Sequence, residues 1–139
     1  MKLSTFAIII TVLAGAFGLA FILIPARLAT FYGMEMNPAG IWMSRYFGAA
    51  LLLIAMIYWS YSSVTPAAKS WPKLLIYSII YDVIQLALTT RALLKGVGNS
   101  NGWSTVALYA LLIIGSLYYL QVCKKARANS ERDKVLVAG

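Results

Sequence analysis

Apolar residues in this chain neither alternate in pairs nor recur in narrow stripes. They fall into four long blocks, near 3–24, 41–61, 71–94 and 103–123, separated by short polar stretches. Each block approaches the roughly 20 residues that an α-helix needs to cross hydrocarbon. Helix breakers mark the boundaries: Pro25 after the first block, "NPAG" before the second, "SSVTPAAKSWP" before the third and "KGVGNSNG" before the fourth. The first block, with Lys2 ahead of it and the small residues of "LAGAFGLA" within it, has the outline of a signal peptide. It is longer than the usual apolar region of one, and three more spans follow, so a membrane helix is the expectation. All connections are short, which makes the helices antiparallel neighbours. The pattern predicts an all-α fold: an integral membrane four-helix antiparallel bundle forming one domain over residues 1–139. The polar tail, 124–139, is expected to continue the last helix into water and then fray. In the longest connection, "ARLATFYGM" reads as a short interfacial helix, an amphipathic connector turning Leu28, Phe31 and Tyr32 toward lipid or bundle.

Composition strengthens the membrane reading. Of 139 residues, 61% are hydrophobic and 12% charged, and mean hydropathy is +0.78. A soluble domain of this size has too little interior to hide that much apolar surface. The net charge of +8 comes from bases that flank the apolar blocks instead of forming one patch. They act as topology signals and lipid contacts, with no nucleic-acid partner implied. Lys2, Lys69, Lys73, Lys124, Lys125, Arg127, Arg132 and Lys134 fall on one side, and Arg27, Arg45, Arg91 and Lys95 on the other. That bias predicts both termini in the cytoplasm, with Lys124, Lys125 and Arg127 at the anionic headgroups. Tyr32, Trp42, Tyr46 and Trp103 are expected as the outer aromatic belt, and Tyr58, Trp59, Tyr61, Trp71, Tyr118 and Tyr119 as the inner one.

Candidate chemistry is scarce. Histidine is absent and Cys123 is the only cysteine, so histidine-held haem, clustered metal ligands and Ser–His or Cys–His nucleophiles are excluded. No metal site and no cofactor are expected. Cys123 reads as an inert thiol at the membrane edge, with an activated or palmitoylated thiol as the alternative.

One block breaks the apolar pattern. In "YSIIYDVIQLALTT", Ser78, Asp82, Gln85 and Thr89 recur at helical spacing and share one stripe, surrounded by Leu, Ile, Val, Ala and Tyr. An ionised acid near mid-bilayer costs roughly 2.5–3.5 kcal/mol on insertion scales, so it requires pairing, hydration in a cavity, or a proton. Arg45, about a turn inside the second span and ~10 Å shallower than Asp82, is the expected partner. Gln85 would serve as relay, with Tyr46, Tyr77, Tyr81 and Tyr109 as neighbouring hydroxyls. Such a cluster is either a clamp between helices or the polar floor of a small-ligand or proton site. Thr11/Gly15, Ala14/Gly18 and Ser44/Gly48 are small pairs four apart, suited to an internal contact or to a dimer face.

"SRYFGAALLLIAMIYW" resembles the R-x-x-G-A-x-L-L helix of the DoxX-like group of small four-helix bacterial membrane proteins. "YDVIQLALTT", "NGWSTVALYALLIIGSLYYL" and "LIPARLATFYGM" are similar to helices of a branch of that group that has no assigned activity. The resemblance spans most of residues 3–122. It implies a four-helix bundle in a bacterial inner membrane, with Arg45 and Asp82 as the family's polar pair. Name-giving members are linked to quinone-coupled sulfur oxidation, and others to accessory roles. From residues and resemblance together, the leading expectation is a non-enzymatic packing or accessory subunit of a homo-oligomer or larger membrane complex. The alternative is binding or transport of a small amphiphile, lipid or quinone, around Asp82. A subunit of a quinone-linked oxidoreductase comes third.

Overall fold

The structure is a computed structural model that describes residues 2–138. Met1, Gly139 and the side chains at 134, 135, 137 and 138 lie outside the described set, Lys134 of the topology count among them. Five helices form: α1 (Leu3–Leu23), α2 (Pro25–Phe31), α3 (Pro38–Tyr61), α4 (Ser70–Leu94) and α5 (Gly102–Ala138). Among the described residues there is no strand. Four of the five are long and apolar enough to span a membrane, and the short α2 occupies the connection expected to hold an interfacial helix.

Local chemistry explains the boundaries. Pro25 opens α2 at a position where its missing N–H costs nothing. Asn37 caps α3 through its side-chain oxygen, which accepts from the Gly40 N–H at 2.8 Å, and Pro38 follows at the first helical position. Gly96, at φ +79°, ends α4 in the left-handed conformation that closes many helices. The last helix differs from the expectation of a frayed tail. It stays helical for 37 residues, about 55 Å at 1.5 Å per residue. That exceeds a hydrocarbon core of about 30 Å, so its basic end projects beyond any bilayer that the other helices span.

The helices associate as two close pairs, α1 with α3 and α4 with α5. In the first pair, Gly18 lies against Gly48: a Cβ on Gly48 would stand 2.7 Å from the Gly18 carbonyl, and one on Gly18 would stand 2.9 Å from the Gly48 carbonyl. Further along, the Thr11 hydroxyl donates to Ala7 O at 2.9 Å and to Ala55 O at 3.3 Å. Residue 11 meets 55 while 18 meets 48, so α1 and α3 run in opposite senses. The small residues at 18 and 48 are therefore consumed by an internal contact.

The two pairs meet mainly at their ends. At one end, Leu3, Phe6, Ala7 and Ile10 of α1 and Tyr58 of α3 pack against Trp71 and Leu75 of α4 and Tyr119 and Cys123 of α5. Phe6 stacks on Tyr119 with ring centroids 4.7 Å apart. The Trp71 indole N–H donates to Val64 O at 3.2 Å, which satisfies its one polar atom inside the cluster. One expectation needs correction here. Tyr58, Trp71 and Tyr119 are core residues and not inner-belt anchors, whereas Trp42, Tyr46, Trp59, Trp103 and Tyr118 remain exposed as a belt requires. Cys123, 1% exposed, is enclosed by that core, which fits the inert thiol and speaks against the activated or palmitoylated alternative.

At the opposite end, polar groups join the pairs. The loop after α4 reaches across to the end of α2: Asn99 N–H donates to Tyr32 O at 2.9 Å, while the side-chain amides of Asn99 and Asn101 both donate to Phe31 O, at 3.0 and 2.8 Å. Gly98, at φ +90°, lets the backbones approach this closely, since a Cβ there would lie 3.0 Å from Tyr32 O.

Two predictions follow from this double attachment. Gly48→Ala would stabilise an open helix site by about 1 kcal/mol. Against an immovable carbonyl it should instead destabilise by about 1–3 kcal/mol, read by circular dichroism during unfolding in denaturing detergent. Asn99→Ala combined with Asn101→Ala removes three side-chain hydrogen bonds, the two to Phe31 O and the one Asn99 Oδ1 accepts from the Asn101 N–H, worth about 1 kcal/mol each. Amide exchange at residue 99 should accelerate at least about tenfold, with exchange at Leu75 unchanged.

Candidate functional site

Between the two end contacts the helix pairs stand apart and enclose a cavity of about 680 Å³. Its walls come from all four long helices: Leu13 and Phe17 of α1, Phe47 and Leu51 of α3, Leu108 and Leu112 of α5, and the polar stripe of α4. Ser78, Asp82, Gln85 and Thr89 all line it, as helical spacing predicts. Asp82 is twelve residues from Ser70 and twelve from Leu94, about 18 Å from either end. The carboxylate thus sits at the midpoint of its helix, on the cavity wall and only 6% exposed.

Helical phase decides which groups reach it. Phe47, Leu51, Ile54 and Tyr58 form the cavity face of α3. At about 100° per residue, Arg45 points about 120–180° away from them, and its side chain is exposed on the outer surface. The expected Arg45–Asp82 pair does not form, and the relay through Gln85 has no guanidinium to reach. Tyr46 is exposed for the same reason. Every described Lys and Arg side chain is exposed, and none lines the cavity. The one ion pair among the described residues joins Arg127 to Glu131 at 3.1 Å, on the projecting part of α5. Lys124, Lys125 and Arg127 are all exposed there, in the turn that follows the buried Cys123.

Hydroxyls on the wall form two hydrogen-bonded pairs. The Tyr58 and Ser78 hydroxyls are hydrogen-bonded to each other, linking α3 to α4. Thr105 donates to the Tyr32 hydroxyl at 3.2 Å. Tyr81, one turn before Gln85, and Tyr109 complete a ring of phenols around the cavity. Asp82 makes no hydrogen bond and no ion pair with any described residue. Its side chain lines the cavity, and a bound molecule or water is what can satisfy it.

The cavity also has a side opening. Ile57 of α3 and Tyr77 and Leu88 of α4 line it yet remain 38%, 65% and 59% exposed, whereas its α1 residues and its α5 residues are all buried or half-buried. The exposed walls therefore border the seam between α3 and α4, on the apolar periphery, and also the loop end, where Met34 and Val97 line the cavity and are 36% and 50% exposed. On that periphery Leu23, Met56 and Leu94 are 71%, 67% and 74% exposed.

Sequence reasoning identified Asp82, Gln85, Ser78, Thr89, Tyr77, Tyr81 and Tyr109 as one neighbourhood, and the cavity collects all seven. It missed Tyr58, Tyr32 and Thr105. For Tyr58 a signal existed: it is separated from Phe47, Leu51 and Ile54 by helical spacing, so it shares their face. For Tyr32 and Thr105 nothing local would have served, because their contact depends on the Asn99 and Asn101 bridge between distant loops.

No protein-family model, no curated protein and no solved structure matches this chain.

Proposed function

We propose that this chain is a non-enzymatic integral membrane protein, an antiparallel four-helix bundle whose function is to bind a small amphiphile in the cavity around Asp82. The observation that carries this reading is an acid turned into an apolar chamber with no protein counter-charge. A packing or accessory subunit is expected to close its polar stripe with its own side chains. Here the stripe stands open along a cavity of about 680 Å³, within the range typical of small-molecule sites. Leaving an acid unpaired in an apolar interior is expensive, and a ligand that engages it offsets that cost only in the bound state.

The ligand's route follows from the walls. A molecule dissolved in the bilayer meets the α3–α4 seam directly, slides its apolar part along Leu51, Leu88 and Leu112, and brings its polar end to Asp82, Gln85 and Tyr81. Access from the loop end is narrowed by the bridge from Asn99 and Asn101 to Phe31. Binding by this path needs no covalent step, in keeping with the absence of histidine and of a second cysteine.

The distribution of basic residues supports placing both termini in the cytoplasm. The resemblance to the DoxX-like group supports a bacterial inner membrane and membership of that group, with association into a homo-oligomer or larger complex as a further part of the proposal.

Filling the chamber tests the reading. Ala14 lies on the cavity wall of α1, and Ala14→Phe would occupy the space beside the stripe. Native mass spectrometry of protein released from membranes should show the wild-type chain carrying a bound small amphiphile, and the Ala14→Phe chain should lose at least about nine-tenths of it. Wild-type protein that arrives bare, or a variant that keeps the same adduct, would count against ligand binding.

A further inference from the structure

The walls also specify the charge of what they hold. We infer that the cavity's ligand is a cationic amphiphile, an alkylamine or quaternary ammonium with a single apolar tail, whose head is neutralised by Asp82. This rests on the amphiphile reading above and narrows it to one chemical class.

Three independent features lead there. First, charge: Asp82 is the only acidic residue within the four apolar blocks, and no Lys or Arg lines the cavity. A neutral ligand leaves an ionised Asp82 uncompensated or obliges it to take up a proton, and an anionic one adds repulsion to the ionised form. A cation cancels it in a low-dielectric setting where such pairing is strongest.

Second, the nearby aromatic surface consists largely of phenols. Tyr32, Tyr58, Tyr77, Tyr81 and Tyr109 contribute to the walls, and the negative face of an aromatic ring attracts ammonium groups, quaternary ones included. The hydroxyls of Tyr58 and Tyr32 are already engaged with Ser78 and Thr105. Both rings add π-surface to the wall, and the Tyr32 hydroxyl, which accepts from Thr105, keeps its own proton. A quaternary head, which has no N–H, needs charge and rings and asks for no hydrogen-bond acceptors.

Third, shape: apart from Ser78, Gln85, Thr89 and Thr105, the remainder of the lining is apolar and continues along the α3–α4 seam to exposed Ile57 and Leu88. A tail can lie there while the head stays at mid-height beside Asp82. Small hydrophilic cations such as free metal ions gain nothing from those walls, and the described residues hold no cluster of acids suited to them.

The test uses the full chain in nanodiscs of zwitterionic lipid, with empty nanodiscs subtracted. The probe is radiolabelled tetradecyltrimethylammonium. Competitors of equal chain length are tetradecanol, which is neutral, and tetradecyl sulfate, which is anionic. Saturable binding of the probe is expected, with both competitors at least about tenfold weaker than unlabelled probe, and Asp82→Asn should weaken the probe at least about tenfold. The wild-type competition alone decides the point even if the variant fails to assemble. Tetradecanol competing as well as the cation, or an assembled Asp82→Asn variant binding the probe unchanged, would overturn the cationic assignment and leave the cavity as a site for neutral amphiphiles. Tetradecyl sulfate as the best competitor would overturn it as well. If no probe of any charge binds saturably, the underlying amphiphile reading falls together with it.

Discussion

A carboxylate held at the midpoint of a membrane-length helix, with every described cation pointing elsewhere, constrains the rest of this molecule. Asp82 cannot face acyl chains without a cost of roughly 2.5–3.5 kcal/mol or more, and the protein supplies no ion pair to relieve it. The helices around it therefore cannot close as they would around Leu. The surrounding polar groups, Ser78, Gln85, Thr89, Tyr81 and Tyr109, occupy the same chamber. Together they make a polar interior inside an otherwise apolar protein.

Such an interior survives only if the bundle is held together elsewhere. The α1–α3 pair is drawn tight by Gly18 against Gly48. At one end the cluster built on Phe6, Trp71, Leu75 and Tyr119 joins the two pairs. At the other the Asn99 and Asn101 amides grip the Phe31 carbonyl. With both ends joined, the middle can stay open without the pairs drifting apart. Packing and hydrogen bonding thus take over the stabilising role that a buried ion pair between the middle helices would otherwise have had.

The fold was legible where composition and breakers act locally. Block length and Pro or Gly punctuation gave the four long helices to within a few residues except at the end of α5, and even the short α2 was visible in "ARLATFYGM". The shared face of Ser78, Asp82, Gln85 and Thr89 followed from 3.6-residue periodicity alone. What failed was pairing across helices. Arg45 looked like the partner of Asp82 because both are charged residues in adjacent spans, with a depth difference of about 10 Å that a long guanidinium could largely bridge. Depth says nothing about azimuth, and α3 commits its inward arc to Phe47, Leu51, Ile54 and Tyr58, which turns Arg45 outward. Trp71 and Tyr119 were misplaced for a related reason: an aromatic near a helix end suits both a headgroup belt and a core, and only the neighbouring helix decides between them. The end bridge was invisible because two asparagines in a turn ordinarily serve their own loop.

The most direct measurement is a double-mutant cycle between Arg45→Ala and Asp82→Asn, using unfolding free energies in detergent micelles. Residues without contact should behave additively. An interaction energy within about 0.5 kcal/mol of zero is the predicted result, alongside a wild-type-like fold for each variant. A coupling of about 2 kcal/mol or more would mean that the guanidinium neutralises the acid after all, and the open, uncompensated chamber would have to be abandoned.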